Sequence, residues 1–228
     1  MNRVLLLDTE TTGLDPEFDR AIEVAAVVYD IGLWSVIESY ATLMKSNVPN
    51  KAVEINRIPD EAIKRGADSV EAWNYVDVMA ATCDCIVGHN CDFDRQFVPE
   101  NATILRSKPW CCTQLGIEWP RQLKSGGTLI SLMLEHGLGV VDPHRALNDC
   151  MAIARLFARC SELGFDVARM VEGGCEPRIT IQALVSYANR DKAKSAGCHW
   201  EPETKGWIRS IRASQAEELP FKWKEVSK

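Results

Sequence analysis

The sequence predicts an α/β fold, a mixed sheet flanked by helices, with a small α+β module after it. Two observations predict the sheet: short apolar runs, residues 4–7 and 85–87, have the length of buried strands, and segments with helical periodicity are interleaved with them. A third observation, the turn-rich segment 172–177, separates these elements from a basic C-terminal stretch. The expected organisation is a main domain, 1–165, a linker, 166–177, and a small basic module, 178–228.

Three strands are predicted at the start of the chain. Residues 4–7 form a continuous apolar run that is too short for a helix, so they suit a central strand covered on both faces. Residues 22–29 and 34–44 are long β-rich stretches separated by Asp30-Ile31-Gly32. We expect the three segments to form a meander.

Two helices are predicted next. Pro59 opens a short helix that Gly66 closes, and Ser69 can cap a second one. The apolar residues of the second helix recur at helical spacing: Val70, Trp73, Val76 and Ala80.

A further strand and three helices complete the main domain. Residues 85–87 predict a short buried strand, and a helical stretch follows from Asp92. Residues 128–135 and 145–159 predict the other two helices, the second of which follows the helix breaker Pro143.

The C-terminal module is predicted to contain a strand, a short helix and a hairpin. Residues 179–187 alternate as a strand, and residues 190–196 suit one short helix. The pairs His199-Trp200 and Trp207-Ile208 flank the turn segment 202–206, which predicts a β-hairpin.

The composition is that of an ordinary globular protein. The chain has 228 residues, of which 46% are apolar and 25% charged. No apolar run approaches the roughly 18 residues of a membrane span, so we expect a cytoplasmic protein without a membrane partner. The nine cysteines are odd in number and include no C-x-x-C pair, which favours buried reduced thiols over disulfides or a thiolate metal site.

Charge is distributed unevenly along the chain. The net charge is −6, but the stretch from Arg178 to the end has ten Lys and Arg against six Asp and Glu. Such asymmetry indicates a polyanionic partner for the basic stretch, or simply a small, well-solvated module.

Two carboxylates stand where the first apolar strand ends. Asp8 and Glu10 are two residues apart, so they share a face of an extended strand. Desolvated acids on one face repel each other unless a cation or a strong donor lies between them, and a divalent metal would satisfy both. A strand that simply runs into the polar turn Thr11-Thr12-Gly13 is the alternative interpretation.

A third acid lies on the apolar side of the helix predicted at 145–159. Asp149 falls in line with Ile153 and Leu156, so it should face inward, where an acid needs a metal or a hydrogen-bond network. His144 stands at the start of this helix, where the positive end of the dipole disfavours the imidazolium and keeps the ring a competent base. A cap or a packed ring is the alternative role for His144.

The segment 88–94 supplies a fourth acid. Phe93 and Phe97 are four residues apart and should hold this helix against the core, which rotates Asp94 onto the neighbouring side. Asp92 suits the ordinary role of an acid in the first turn of a helix, so Asp94 is the candidate for chemistry.

Three motifs resemble those of one enzyme family. They are Asp8-Thr9-Glu10-Thr11-Thr12-Gly13-Leu14, His89-Asn90-x-x-Phe93-Asp94 and His144-Arg145-Ala146-x-x-Asp149. In this order and spacing they are similar to the exonuclease motifs of the DEDDh family, the DnaQ-like 3′-to-5′ exonucleases, which have a ribonuclease H-like fold. Trp110-Cys111-Cys112-Thr113 adds a likeness to the branch of exonuclease X and the polymerase III epsilon-type proofreading proteins.

The resemblance implies catalysis with two Mg²⁺ or Mn²⁺ ions. Asp8 would bridge the two ions. Glu10 and Asp149 would hold the first, and Asp94 would act on the second directly or through water. His144 would take a proton from the attacking water, and nucleoside 5′-monophosphates would be released from a 3′ end.

The implied partner is a nucleic acid with a 3′ end, most simply single-stranded DNA or a frayed DNA end. An RNA-trimming exoribonuclease is the alternative within the class, and a non-catalytic nucleic-acid-binding or polymerase-accessory protein is the alternative outside it. The candidate substrate contacts are Thr9, Thr11, Leu14, Asn56, His89, Asn90 and Phe93. Asn56 lies where many relatives have an Ile-His-Gly-Ile-like segment, and Leu14 is either a wedge against the last base or a core leucine.

The module offers a second nucleic-acid contact. Trp200 and Trp207 should lie opposite each other across the hairpin, where an aromatic pair stabilises the two strands. The alternative is a platform for base stacking, flanked by the cations of Lys192, Lys194, Lys205 and Arg209.

Overall fold

The structure of the chain, a computed structural model, describes residues 1–124 and 126–226. It divides the chain into two units, Met1–Cys175 and Glu176–Lys228. Residues 227 and 228 of the predicted module lie outside the described residues.

Unit 1 is built on a five-stranded mixed sheet. Its strands are β1 (Arg3–Thr11), β2 (Ala21–Asp30), β3 (Ser35–Leu43), β4 (Cys85–Gly88) and β5 (Trp110–Cys112). In the order β3-β2-β1-β4-β5, the first three strands are antiparallel, whereas β1, β4 and β5 are parallel to one another. The predicted mixed sheet and its opening meander are confirmed.

Eight helices of unit 1 connect or cover these strands in the described residues. They are α1 (Val53–Asn56), α2 (Asp60–Ile63), α3 (Ser69–Ala80), α4 (Cys91–Phe97), α5 (Thr103–Ser107), α6 (Leu129–Glu135), α7 (Ala146–Glu162) and α8 (Val167–Gly174). None of the described helices is long and apolar enough to cross a membrane.

The sheet is covered on both faces, which explains the continuous apolar run at the start of β1. Val4 and Leu6 belong to the core shared with α7, whereas Leu5 and Leu7 belong to the core shared with α3. All four side chains are fully buried. Because the direction of side chains alternates along a strand, the residues after Leu7 are distributed between the same two faces.

Unit 2 is a four-stranded antiparallel sheet with short helical segments. Its strands are β6 (Arg178–Ala183), β7 (His199–Glu201), β8 (Gly206–Arg212) and β9 (Trp223–Glu225), and its helices are α9 (Arg190–Ser195) and α10 (Ala213–Ala216). The sheet order is β7-β8-β6-β9, and a small core that includes Ile181, Ala193 and Ile211 packs on one face.

Two predictions about the boundary between the units are wrong. The stretch predicted as a linker, 166–177, consists mostly of α8, which Asp166 caps by accepting the N–H of Arg169. Val167 and Val171, one helical turn apart, are buried in the core of unit 1 and hold this helix there. The strand predicted at 179–187 ends at Ala183, and Tyr187 begins a 3₁₀ turn instead.

The predicted start of α3 is wrong by one residue. Asp68, not Ser69, is the cap, because its carboxylate accepts the N–H groups of Val70 and Glu71. Val70 is exposed and does not belong to the apolar side of the helix. The buried residues are Ala72, Trp73, Val76, Met79 and Ala80.

Candidate active site

The carboxylates of Asp8 and Glu10 lie at the end of β1 on the face that α7 covers. Alternate residues of a strand share a face, so Asp8 and Glu10 point to the same side as Val4 and Leu6, whose side chains pack against α7. Thr9 lies on the opposite face and is buried. Strand β1 therefore places two carboxylates beside the first turn of α7.

Helix α7 brings a third carboxylate to this pair. One oxygen from each of Asp8, Glu10 and Asp149 can be chosen so that all three lie within 4.8 Å of one another. Asp149 faces inward, as its alignment with the fully buried residues Ile153 and Leu156 predicted. Three hard oxygen donors at this separation suit a divalent cation such as Mg²⁺ or Mn²⁺.

Asp94 reaches the site from α4 and is tied to β1. Its Oδ1 accepts a hydrogen bond from the backbone N–H of Thr9 at 2.9 Å and one from the Thr9 hydroxyl at 2.7 Å. The buried residues of α4 are Cys91 and Asp94. The expected anchoring of α4 through Phe93 and Phe97 is therefore wrong: both rings are half-buried and contact each other, with centroids 5.1 Å apart.

Burial and mutual repulsion destabilise the charged forms of these acids. Burial raises the pKa of Asp8 well above its usual range, and the charges of Asp94 and Asp149 raise it further. Burial, followed by the charge of Asp149, raises the pKa of Glu10 to about 8.

The other two acids are shifted in the same direction. Burial raises the pKa of Asp94 to about 7, although the hydrogen bonds from Thr9 oppose the shift. Burial also raises the pKa of Asp149, against the effect of the His144 N–H. A divalent cation would remove this shared penalty, so the four residues fit such an ion.

His144 lines the same cleft immediately before α7. Its side chain is exposed, its backbone has a positive φ of 65°, and its N–H donates to Oδ2 of Asp149 at 3.2 Å. The backbone N–H of His144 thus fixes one oxygen of Asp149. The direction of the imidazole is set by a left-handed backbone conformation, which is uncommon for residues other than glycine.

Buried Glu23 and partly exposed Arg145 form an ion pair beside the acids, which the sequence did not predict. Glu23 accepts Arg145 Nε–H at 3.1 Å, Arg145 Nη2–H at 2.7 Å and the backbone N–H of Ala146 at 3.1 Å. Glu23 lies on β2 directly opposite Glu10. The signal in the sequence was a single acid within the otherwise apolar stretch of β2.

These residues surround a cleft of about 380 Å³, within the range of roughly 300–1,000 Å³ that ligand sites have. It is lined by Asp8, Thr9, Glu10, His89, Asn90, Phe93, Asp94, Gln114, Thr128, Leu129, Ile130, Pro143, His144 and Asp149. All five predicted catalytic residues and four of the seven predicted substrate contacts therefore line one cleft, whereas Thr11, Leu14 and Asn56 do not.

Comparison with known proteins identifies the family. The RNase_T family model, described as an exonuclease, matches residues 5–157. The chain belongs to this exonuclease family. The resemblance of the three motifs is thus confirmed, and the matched residues include all those that line the cleft. A second model, for a domain of unknown function (DUF8626), matches residues 179–226.

Two relatives and one solved structure describe the similarity. The PolC-type DNA polymerase III of Thermotoga maritima is 31% identical over 178 residues, which are 70% of this chain but only 12% of that polymerase. The epsilon subunit of DNA polymerase III from Treponema pallidum is 29% identical over 159 residues, 66% of this chain and 72% of that subunit. The structure of exonuclease X in complex with 5′ overhanging duplex DNA is 24% identical and superposes with a TM-score of 0.53, covering 75% of this chain and 99% of that one.

His89 lines the cleft of the exonuclease unit as a neutral ring. Burial lowers the pKa of His89 to about 4. Its Nδ1 lies 3.0 Å from the hydroxyl oxygen of Thr113, which is fully buried at the end of β5. The Cys-Thr segment that supported the family resemblance thus orients a residue of the cleft.

Asn56 is not placed to contact a substrate, contrary to the prediction. Its side chain is buried, donates to the carbonyl of Thr11 at 3.2 Å and accepts from Asn50 and from the N–H of Ile58. The Thr11 hydroxyl is also used internally, since it donates to the carbonyl of Gly13. Asn56 and Thr11 therefore fix the turn in the second half of the first motif.

Leu14 is exposed in the same turn. Its exposed fraction is 82%, which excludes the interpretation of this residue as a core leucine. An apolar side chain so exposed next to the first motif is available to a ligand of the exonuclease.

Proposed function

We propose that the chain is a divalent-cation-dependent 3′-to-5′ exonuclease that releases nucleoside 5′-monophosphates from DNA. The observation that carries this proposal is the convergence of Asp8, Glu10 and Asp149 within 4.8 Å, with Asp94 in the same cleft. Their position in a unit of the exonuclease family supports this cleft as the place where a phosphodiester bond would be hydrolysed.

The four carboxylates would hold two Mg²⁺ or Mn²⁺ ions. Glu10 and Asp149 would hold one ion, Asp94 would hold the other, and Asp8 would contribute to both. Once bound, the cations would polarise the scissile phosphate and stabilise the oxygen that leaves. The hydrogen bonds from Thr9 fix the orientation of Asp94, and the N–H of His144 does the same for Asp149.

His144 would accept the proton of the attacking water at its imidazole ring. It is exposed to solvent in the cleft and lies next to Asp149 in the same short segment, so a proton that it accepts can pass to bulk water. The expected consequence is that His144→Ala lowers the rate by about 100-fold or more, the usual contribution of a general base.

The preferred substrate would be single-stranded DNA or a frayed 3′ end. The relatives named above are a DNA polymerase and a DNA polymerase subunit, which supports DNA over RNA. The volume of the cleft suits a terminal nucleotide rather than an intact duplex. The half-buried ring of Phe93 and the exposed side chain of Leu14 are apolar surfaces that could contact the last base.

A labelled-polymer assay tests reaction and substrate together. DNA and RNA labelled at the 5′ end, single- and double-stranded, are incubated with Mg²⁺ or Mn²⁺. We expect a ladder that shortens from the 3′ end of DNA, and a rate at least about 100-fold lower for Asp8→Asn. Asp92→Asn is the matched control, because Asp92 is exposed in the first turn of α4 and should leave the rate unchanged.

Other outcomes contradict defined parts of the proposal. A ladder from RNA alone would assign the chain to the trimming of RNA. A ladder that Asp8→Asn leaves undiminished would place the reaction outside this cleft. No ladder from any polymer, with nucleic-acid binding retained, would indicate an accessory protein without catalysis.

A further inference from the structure

Unit 2 carries a continuous row of aromatic and cationic side chains. We call it the aromatic–basic row; it consists of Tyr187, Arg190, Lys194, Trp207 and Trp200. The guanidinium of Arg190 lies 4.1 Å from the centre of the Tyr187 ring, and Lys194 Nζ lies 5.4 Å from the centre of the Trp207 ring. The rings of Trp207 and Trp200 are 5.7 Å apart and meet edge to face.

The local structure of unit 2 sets the order of the row. Tyr187 lies in the 3₁₀ turn immediately before α9. Arg190 and Lys194 are four residues apart on α9, so they are neighbours on one side of the helix, about 6 Å apart. Trp200 and Trp207 are directly paired across β7 and β8, which places both rings on one face of the sheet.

The two tryptophans have different surroundings. Trp207 is half-buried and packs against the small core of unit 2, so it stabilises the hairpin. Trp200 lies on β7, the edge strand of the sheet, and is 50% exposed. The pair therefore has one ring that belongs to the core and one ring that is open to a ligand.

The two ends of the row expose more aromatic surface than folding requires. Tyr187 is 81% exposed, and Trp200 forms the other exposed end. The Lys194 side chain between them is 51% exposed, and its ion pair with Asp191 is long, at 3.7 Å. Such a pair at the surface is weak and leaves the ammonium available to another anion.

We propose that the aromatic–basic row binds single-stranded nucleic acid. Unpaired bases stack on Tyr187 and Trp200, and the phosphates between them contact Arg190 and Lys194. The two cations lie between the exposed rings at the two ends of the row, as the phosphates of a single strand lie between its bases. Lys205, exposed in the turn between β7 and β8, adds a further cation beside this hairpin.

The charge of the module supports a polyanionic ligand. The stretch from Arg178 onward has ten basic and six acidic residues, although the chain as a whole has a net charge of −6. Attraction of a phosphate backbone is thus concentrated in the unit that carries the row. Duplex DNA is a poorer ligand, because its bases are stacked on one another and cannot reach the rings.

A covalently closed single strand tests this site separately from the cleft, since it has no 3′ end. Binding of a fluorescent oligothymidine circle of about 30 nucleotides to the full chain is measured by anisotropy in EDTA, at salt concentrations from about 50 to 200 mM. The variants are Tyr187→Ala with Trp200→Ala, which removes the exposed rings, and Arg190→Gln with Lys194→Gln, which removes the two cations.

Each variant has its own expected result. Loss of the two rings should weaken binding at least about 10-fold and leave the salt dependence unchanged. Loss of the two cations should weaken binding and reduce the slope of log K against log salt by about 1.4. Lys192 was also expected beside the platform, but it is exposed on α9 two residues from both cations and points to the other side of the helix. Lys192→Gln is therefore the matched control and should change affinity by no more than about twofold.

Conservative variants distinguish loss of the site from loss of the fold. Tyr187→Phe with Trp200→Phe keeps both rings and should retain most of the affinity for the circle. The proposal is overturned if the ring-free variant binds the circle as the wild type does, if Lys192→Gln is as damaging as the double cation variant, or if the circle does not bind at all. Neither result bears on the exonuclease cleft, whose test uses linear substrates and a cation.

Discussion

Glu23 shows how one buried residue can organise a site without touching a substrate. Its carboxylate accepts two N–H groups of the Arg145 guanidinium and the backbone N–H of Ala146, the first residue of α7. This places a negative charge at the N-terminus of α7, where the helix dipole favours it. Asp149 lies in the first turn of the same helix, so its position depends on Glu23.

Replacing Glu23 should therefore affect both stability and the site. We expect Glu23→Gln to lower the free energy of unfolding by about 1–3 kcal/mol. The substitution removes the charge of Glu23, the buried partner of a hydrogen-bonded ion pair whose other partner, Arg145, is partly exposed. The control is Arg57→Gln, which breaks the exposed pair of Arg57 and Asp142 and should cost less than about 0.5 kcal/mol. Urea denaturation at neutral pH measures both, and equal losses would contradict the role assigned to Glu23.

The residues that the sequence predicted are those with a local signal. Asp8 and Glu10 follow an apolar strand, and Asp149 interrupts the apolar side of a helix, so alternation and helical periodicity suffice to find them. The bond from Thr9 to Asp94 joins residues 85 apart, and that from Arg145 to Glu23 joins residues 122 apart. No local pattern encodes such pairs, because they exist only once the strands and helices have packed.

At the scale of elements, either Asp68 or Ser69 could cap the start of α3, and a pair of substitutions can distinguish the two. Asp68 accepts two backbone N–H groups at the start of this helix, whereas Ser69 is already its first residue. Asp68→Ala should lower the free energy of unfolding by about 1 kcal/mol, and Ser69→Ala should change it much less. Thermal unfolding measures the difference, with nuclease activity below the transition unchanged in both variants; a larger effect of Ser69→Ala would reverse the assignment of the cap.

Helix α8 was missed because its glycines are typical of a turn. Gly173 and Gly174 end this helix, and both are buried. A Cβ at Gly174 would clash with Sγ of Cys111, so the glycine allows α8 to lie close to β5. Tertiary contact thus stabilises a helix that intrinsic propensity disfavours, and propensity alone predicted a linker.

At the scale of the whole molecule, the two units differ in charge: the cleft of unit 1 is lined by acids, whereas unit 2 has more basic than acidic residues. Under the two proposals, the four acids of the cleft would need cations before the cleft could accept a phosphate backbone, whereas the basic residues of unit 2 would attract that backbone directly. An excess of acid in the sequence therefore does not argue against a nucleic-acid ligand. Cation binding and backbone attraction can be measured separately, since chelators remove only the first.

Cation binding should stabilise the protein in a manner that depends on pH. The folded-state pKa is raised to about 8 for Glu10 and to about 7 for Asp94, above the ordinary values of 4.5 and 3.8. Without cations, the folded state binds more protons than the unfolded state between about pH 4 and pH 8, so these groups make the protein less stable as the pH rises through this window. A bound divalent cation replaces those protons and removes the penalty.

The stabilisation by Mg²⁺ or Mn²⁺ should consequently be small at pH 5 and large at pH 8. With the ion at about 100 times its dissociation constant, we expect the melting temperature to rise by about 5–10 °C at pH 8. Differential scanning fluorimetry at matched ionic strength, with KCl in place of the divalent salt, measures this shift. Asp8→Asn should abolish most of it and Asp92→Asn should not, because only Asp8 belongs to the cluster of carboxylates. A shift of equal size at both pH values would show that the ion stabilises the protein at a site other than these acids.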